Sequence, residues 1–212
     1  MATLRLDIDG VLVRDKLLLE HVKENCVRYV STKLPECKTP QETNKLLYLS
    51  HGHTARGLQR VFNMNVTDFN QKVYDTPLMN HLADVLSSRE FQEEAAGIYD
   101  LTTEGWSVRL FTNAPWIWAS KVALAIGDNV AVTCPGNPSD SPLKPEPEAY
   151  MFPDDNLNIF VDDSLKNLGT ARYFPNWKCV HFNEGPKDHN TWCPQVGSIW
   201  ELCMLARSCS PQ

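Results

Sequence analysis

Leu4-Arg5-Leu6-Asp7-Ile8-Asp9-Gly10-Val11-Leu12 decides how the rest of the chain is read. The apolar run breaks at Gly10, which predicts a short strand from Leu4 to Ile8 carrying two carboxylates at its end. Carboxylates two residues apart on a strand share a face. Like charges that close repel, and burial raises the penalty. A divalent cation beside them removes the difficulty, and hard oxygen donors of this kind suit Mg²⁺.

Two later runs have the same form. Val108-Arg109-Leu110-Phe111 stops at Thr112-Asn113, and Leu157-Asn158-Ile159-Phe160-Val161 stops at Asp162-Asp163. Short apolar runs that end abruptly at polar residues fit buried parallel strands. Open parallel sheets bind ligands outside the carboxyl ends of their strands. Three strands would therefore deliver Asp7, Asp9, Thr112, Asn113, Asp162 and Asp163 to one edge. Taken singly, each has a bland alternative: a surface turn for Asp7-x-Asp9, a helix cap for Thr112, and a cap for Asp163 or Ser164 ahead of a helix from Leu165 to Arg172. Lys144 adds an ammonium group on a segment that Pro145 holds extended.

In this order, Asp7-x-Asp9-Gly10, Phe111-Thr112-Asn113, Lys144-Pro145 and Val161-Asp162-Asp163-Ser164 resemble the four motifs of the haloacid dehalogenase (HAD) superfamily. The resemblance runs from Leu4 to about Phe182. His51-Gly52-His53-Thr54-Ala55-Arg56-Gly57-Leu58, with Asp68-Phe69 and Val73-Tyr74-Asp75, is similar to the cap segment of its pyrimidine 5′-nucleotidase-like branch. Two departures stand out: Gly10 where much of that branch has Asn, and the loop from Cys134 to Leu143 with Pro135, Pro138 and Pro142.

The resemblance implies an α/β fold, a Rossmann-like parallel-sheet core with a small all-helical cap inserted after the first strand. The core would span 1–14 and 86–212 and the cap 15–85. It implies a Mg²⁺-dependent phosphomonoesterase working through an aspartyl-phosphate. A nucleoside 5′-monophosphate is the favoured substrate, with a sugar phosphate or lysophosphatidic acid as alternatives. Asp7 would be the nucleophile. Asp9 would protonate the leaving oxygen and then deprotonate water, its main-chain carbonyl binding the metal. Thr112, the Asn113 N–H and Lys144 would hold the phosphoryl oxygens. Asp163 would join Asp7 as a metal ligand, with Asp162 as a further ligand or its support. A catalytically silent binding protein on this fold would be expected to have lost one of these residues, and a dehalogenase has no use for Asp9 or the acidic pair. His51, His53 and Arg56 are the candidates for touching the leaving group, and Trp116 and Trp118 are expected to pack.

The 212 residues are 42% hydrophobic and 22% charged, ordinary for a globular protein with one sizeable core or a core and an insert. No apolar run is long enough to predict a membrane span, and no secretory signal is seen, so a cytoplasmic protein is expected. The net charge of −6 without a dense basic block argues against a nucleic-acid polymer as partner. Seven scattered cysteines, an odd number without CxxC, are expected as thiols; zinc would need Cys179, His181, His189 and Cys193 to converge.

Helical periodicity predicts Lys16–Leu34, Thr43–Leu49, Thr54–Phe62 and Val66–Tyr74 in the insert, which returns to the core at Thr76-Pro77 or Ser87-Ser88. Beyond it, helices are expected at Glu90–Thr103, Trp116–Ile126 and Val196–Ala206, and strands at Trp106–Phe111, Val130–Thr133 and Lys178–Phe182. Such alternation argues for a parallel sheet covered on both faces.

Overall fold

The computed structural model describes residues 2–133, 141–152, 157–187 and 192–209; most of the Cys134–Leu143 loop and His189 lie outside them. Its strands are β1 (Thr3–Leu6), β2 (Ser107–Phe111), β3 (Ala131–Thr133), β4 (Asn158–Asp162), β5 (Trp177–Phe182) and β6 (Gln195–Val196). They pair in the order β3-β2-β1-β4-β5-β6, every pairing parallel. Strand order reverses at β1, so the crevice at its carboxyl end is where such a sheet binds a ligand.

Side chains alternate across the sheet and sort into two cores. Leu4, Leu6, Ile159, Val161, Val180 and Phe182 fall on one face with helices α6 (Arg89–Thr103), α7 (Trp116–Ile126) and α9 (Ile199–Ser208). Phe160, Trp177 and Cys179 fall on the other, joined by Phe111, by Tyr150 from a 3₁₀ turn at Pro147–Tyr150, and by Leu168 from α8 (Leu165–Ala171). Arg5, pointing to this aromatic side, is buried, with its guanidinium 3.8 Å over the Phe152 ring and Nε donating to Asn158 at 2.7 Å.

Between β1 and α6 the chain is helical throughout: α1 (Lys16–Lys33), α2 (Pro40–His51), α3 (Thr54–Phe62), α4 (Val66–Val73) and α5 (Thr76–Leu86). Their inner faces, including Val30, Leu58 and Phe69, continue the first core without a break. No helix among the described residues is long and apolar enough to cross a membrane.

Three expectations need correction. First, β1 ends at Leu6, not Ile8. Asp7 still donates its N–H to Val161 O at 2.9 Å, but the chain then turns, with Leu12 and Val13 N–H both on Ile8 O. Asp7 and Asp9 therefore do not share a strand face. Second, Thr76–Leu86 is a further helix, for which no helix was expected; Pro77 sits in its first turn, where its missing N–H is harmless, and Asp75 caps it by accepting from Leu78 N–H. Third, Val196 belongs to β6, and the last helix starts after Ser198, whose hydroxyl accepts from Glu201 N–H.

Candidate active site

Asp7, Asp9, Thr112, Asn113, Lys144 and Asp163 line one cavity of about 210 Å³ at the carboxyl edge of the sheet. A larger cavity of about 490 Å³, around Arg14, Glu94 and Glu184 at the base of the helical insert, contains none of them. Convergent titratable groups, not size, single out the first.

Lys144 organises the floor. Its side chain is almost fully buried, with Nζ 3.0 Å from Asp7 Oδ1 and 2.7 Å from Asp162 Oδ2. Behind it stand the Phe111 and Phe160 rings, with centroids 5.1 and 5.3 Å from Nζ. Burial works against its charge, yet Asp162 and Asp7 outweigh it and hold Lys144 above the usual lysine value. Asn113 fixes the lysine's backbone from both sides, Oδ1 accepting Lys144 N–H at 2.9 Å and Nδ2 donating to Lys144 O at 2.8 Å. The Lys144–Pro145 peptide is cis.

The carboxylates divide by environment. Asp162 is fully buried and takes up Lys144 Nζ, Ser164 N–H and Asn167 Nδ2. Asp163, its exposed neighbour, lines the cavity. Ligand oxygens of Asp7, Asp162 and Asp163 lie within 4.8 Å of one another. The Asp9 carboxylate is not part of that group, so of Asp9 the main-chain carbonyl expected to bind the metal is the atom left for that role. Instead Asp9 Oδ1 accepts from the indole N–H of Trp118 at 3.0 Å. Burial pushes Asp9 up to about 6, against the lowering by that indole bond. Burial raises Asp7 well above the carboxylate range, opposed by Lys144 and reinforced by Asp162, Asp163 and Asp9. Desolvation and Asp162 push Asp163 up to about 6. The donor set is thus all hard oxygen, with more negative charge than Lys144 can balance, and it fits a hard divalent cation.

Two glycines make the packing possible. Gly10 has φ +85°, and a Cβ there would stand 2.3 Å from Asp163 Oδ2. Gly52, at φ +76°, ends α2 against the lysine loop, where a Cβ would stand 2.5 Å from Pro145 Cδ.

Thr112, just past β2, does not cap α7, whose N-cap is Pro115. Its hydroxyl accepts from Ala114 N–H at 3.0 Å, which leaves its own O–H to donate. Trp118 packs as expected, fully buried, but Trp116 is half exposed at 53%.

Of the three cap candidates, only His53 lines the cavity. It caps α3, with Nδ1 accepting from Ala55 N–H at 3.1 Å. His51, the last residue of α2, is not among the lining residues. Arg56 is turned to the 141–146 loop, where it donates to Ser141 O and pairs with Glu146 at 3.3 Å; Arg60 pairs with the same carboxylate at 2.7 Å. In this arrangement Arg56 ties the helical segment to the 141–146 loop and is not among the residues lining the cavity. Trp118, Asn167 and the side chain of Asn113 are the members that motif reading missed. No spacing betrays them, because each acts on a partner distant in sequence.

No protein-family model matches the chain, and no curated protein matches it. Solved structures do. A HAD phosphatase from Thermococcus onnurineus is similar over 97% of this chain and 98% of its own, at 17% identity and TM-score 0.60. CbbY from Rhodobacter sphaeroides in complex with phosphate is similar over 95% and 96%, at 14% identity and TM-score 0.60. L-2-haloacid dehalogenase from Xanthobacter autotrophicus is similar over 99% and 100%, at 11% identity and TM-score 0.54. The chain has the HAD-like Rossmann-type fold, an architecture that carries both phosphatases and dehalogenases.

Proposed function

We propose that this protein is a Mg²⁺-dependent phosphomonoesterase that uses Asp7 as nucleophile, with a nucleoside 5′-monophosphate as its favoured substrate. The observation that carries it is Lys144 buried between Asp7 and Asp162, next to a cluster of carboxylates that one ammonium cannot balance. Asp7 Oδ1 is occupied by Lys144 Nζ and by Ile8 N–H at 2.7 Å, which leaves Oδ2 to attack phosphorus. The P–O bond to the leaving group breaks as the Asp7–phosphorus bond forms. Asp9, raised to about 6, gives the departing oxygen its proton and then takes one from the water that hydrolyses the aspartyl-phosphate. Thr112 O–H, the Asn113 N–H and Lys144 Nζ hold the phosphoryl oxygens. Asp7, Asp163 and the Asp9 main-chain carbonyl would hold Mg²⁺, with Asp162 supporting. The bound cation would supply charge neutralisation at the phosphate. A dehalogenase on the same fold would need neither Asp9 nor the acidic cluster.

Inorganic phosphate release is expected with Mg²⁺ and not with excess EDTA, and no halide release is expected from 2-chloropropionate. Full activity in EDTA would reject the metal-dependent mechanism, and halide release would favour the dehalogenase.

Gly10→Ala tests the metal assignment. The new methyl would collide with Asp163, so the apparent Mg²⁺ affinity should fall about 10- to 100-fold, as when a ligand's support is disturbed. A Mg²⁺ titration of phosphate release reads this; an unchanged half-saturation would refute it.

Arg56→Ala should lower stability by about 1–3 kcal/mol, because Glu146 and Ser141 O each lose a partner. It should slow all phosphate esters by a similar factor, since it acts through the loop that carries Lys144. Urea unfolding and kcat/KM on a nucleotide and an aryl phosphate check both. A loss confined to the nucleotide would return Arg56 to substrate contact.

A further inference from the structure

The cap side of the cavity differs in charge from its floor. It presents Tyr48, Tyr74, Leu19 and His53. Burial, with nearby Arg56 adding to it, pushes His53 down to about 4, so the ring is neutral near physiological pH. Its Nδ1 accepts from Ala55 N–H, so the neutral ring carries its proton on Nε2 and offers a dipole, not a charge. Arg56, Arg60 and Lys166 do not line the cavity. Arg56 and Arg60 pair with Glu146, and Lys166 Nζ donates to Leu49 O at 2.9 Å. Residues 134–140, outside the described part, contain no Lys, Arg or His. Among the described residues Lys144 is the only Lys or Arg lining the cavity, and Asp7 and Asp162 already hold it. Asp7, Asp9 and Asp163 line the floor beside Lys144, so acidic side chains there outnumber its one ammonium group.

We infer that this site selects phosphate monoesters whose leaving group is uncharged, and rejects esters that carry a second anionic group such as a carboxylate or another phosphate. The inference rests on the phosphomonoesterase function proposed above and narrows its substrates. A nucleoside or an unmodified sugar as leaving group meets the requirement. A phosphorylated hydroxy acid, a bisphosphate or a nucleoside diphosphate does not. A second anion would meet aromatic rings, an imidazole and a floor rich in acidic side chains, with no cation among the described lining residues but Lys144 to replace its lost water.

The test uses a matched pair: the phosphate ester of methyl 4-hydroxybenzoate and that of 4-hydroxybenzoic acid. The two share a ring and differ in one charge. With the full chain and saturating Mg²⁺ at neutral pH, kcat/KM for the acid should be lower by at least about tenfold. Nucleoside 3′,5′-bisphosphate against the 5′-monophosphate should show the same order. Tyr48 is 52% exposed, so Tyr48→Lys adds a cation at the rim without disturbing a core. Once its unfolding midpoint matches the wild type, the ratio of kcat/KM for the ester to that for the acid, both measured on the variant, should fall to under about threefold. Equal or faster hydrolysis of the acid by the wild-type protein overturns the inference and leaves the phosphatase intact. So does a penalty that Tyr48→Lys does not reduce. Absence of phosphate release from every ester overturns the phosphatase function itself, and this inference with it.

Discussion

Asp7→Asn is expected to abolish turnover while leaving the fold in place. The amide is nearly isosteric with the carboxylate, but it cannot form an aspartyl-phosphate and is a poor metal ligand. Loss of a residue that takes part in bond formation typically reduces kcat by about 10⁴-fold or more. Stability should move in the opposite sense to a damaged core. Asp7 is held well above the carboxylate range by burial and by Asp162, Asp163 and Asp9, so the ionised form is under strain without a metal. Removing its charge relieves that repulsion, and Lys144 keeps Asp162 as partner at 2.7 Å. In the absence of divalent cations, the unfolding midpoint of Asp7→Asn should equal or exceed the wild type's. Near-normal hydrolysis by the purified variant would remove Asp7 from the nucleophile's role.

Lys144→Met is expected to damage both chemistry and stability. Methionine preserves much of the volume against Phe111 and Phe160, so packing alone should suffer little. The charge is another matter. Asp162 is fully buried and would lose its only ionic partner among the described residues; breaking a buried pair in this way costs about 3–5 kcal/mol. The double variant Lys144→Met, Asp162→Asn separates the two effects. It should regain most of the lost stability, because an amide can still serve Ser164 N–H through its oxygen. It should remain inactive, because no ammonium faces the phosphoryl oxygens. Denaturant unfolding of all variants reads the first effect and phosphate release the second. A double variant as unstable as the single one would show that Lys144 is held for packing and not for charge.

What could be read from the chain, and what could not, follows from the range of each interaction. The ends of β2 and β4, at Phe111 and Asp162, are legible to within a residue because an apolar run stopping at polar residues is a local signal, whereas β1 stops two residues short of Ile8. Helices Thr54–Phe62 and Trp116–Ile126 have the bounds that periodicity predicts. Helix α5 carries a sequence signal of its own, Asp75 as N-cap with Pro77 in the first turn, which the expectation of a return to the core at Thr76-Pro77 or Ser87-Ser88 leaves unused. The two-residue β6 carries too little pattern to be found, but Ser198 and Glu201 form a capping-box signature that would have placed α9 correctly. Asp162 and Asp163 are indistinguishable as letters. Their surroundings separate them, since Lys144 and Asn167 reach only the first. Arg56 misled for the same reason: its partners Ser141 and Glu146 lie some 85–90 residues away along the chain.

The contact of Gly52 with Pro145 and Lys144 O has a consequence for protein engineering. Insert and lysine loop meet with no room for even one methyl group, and Arg56 and Arg60 clamp the same loop through Glu146. The helical segment is therefore not an exchangeable module. A chimera that imports foreign helices in place of α1–α5, and keeps the native 141–146 loop, would misplace the ammonium group along with them. Transplants should carry both pieces together, as one cassette assembled from two distant stretches of chain.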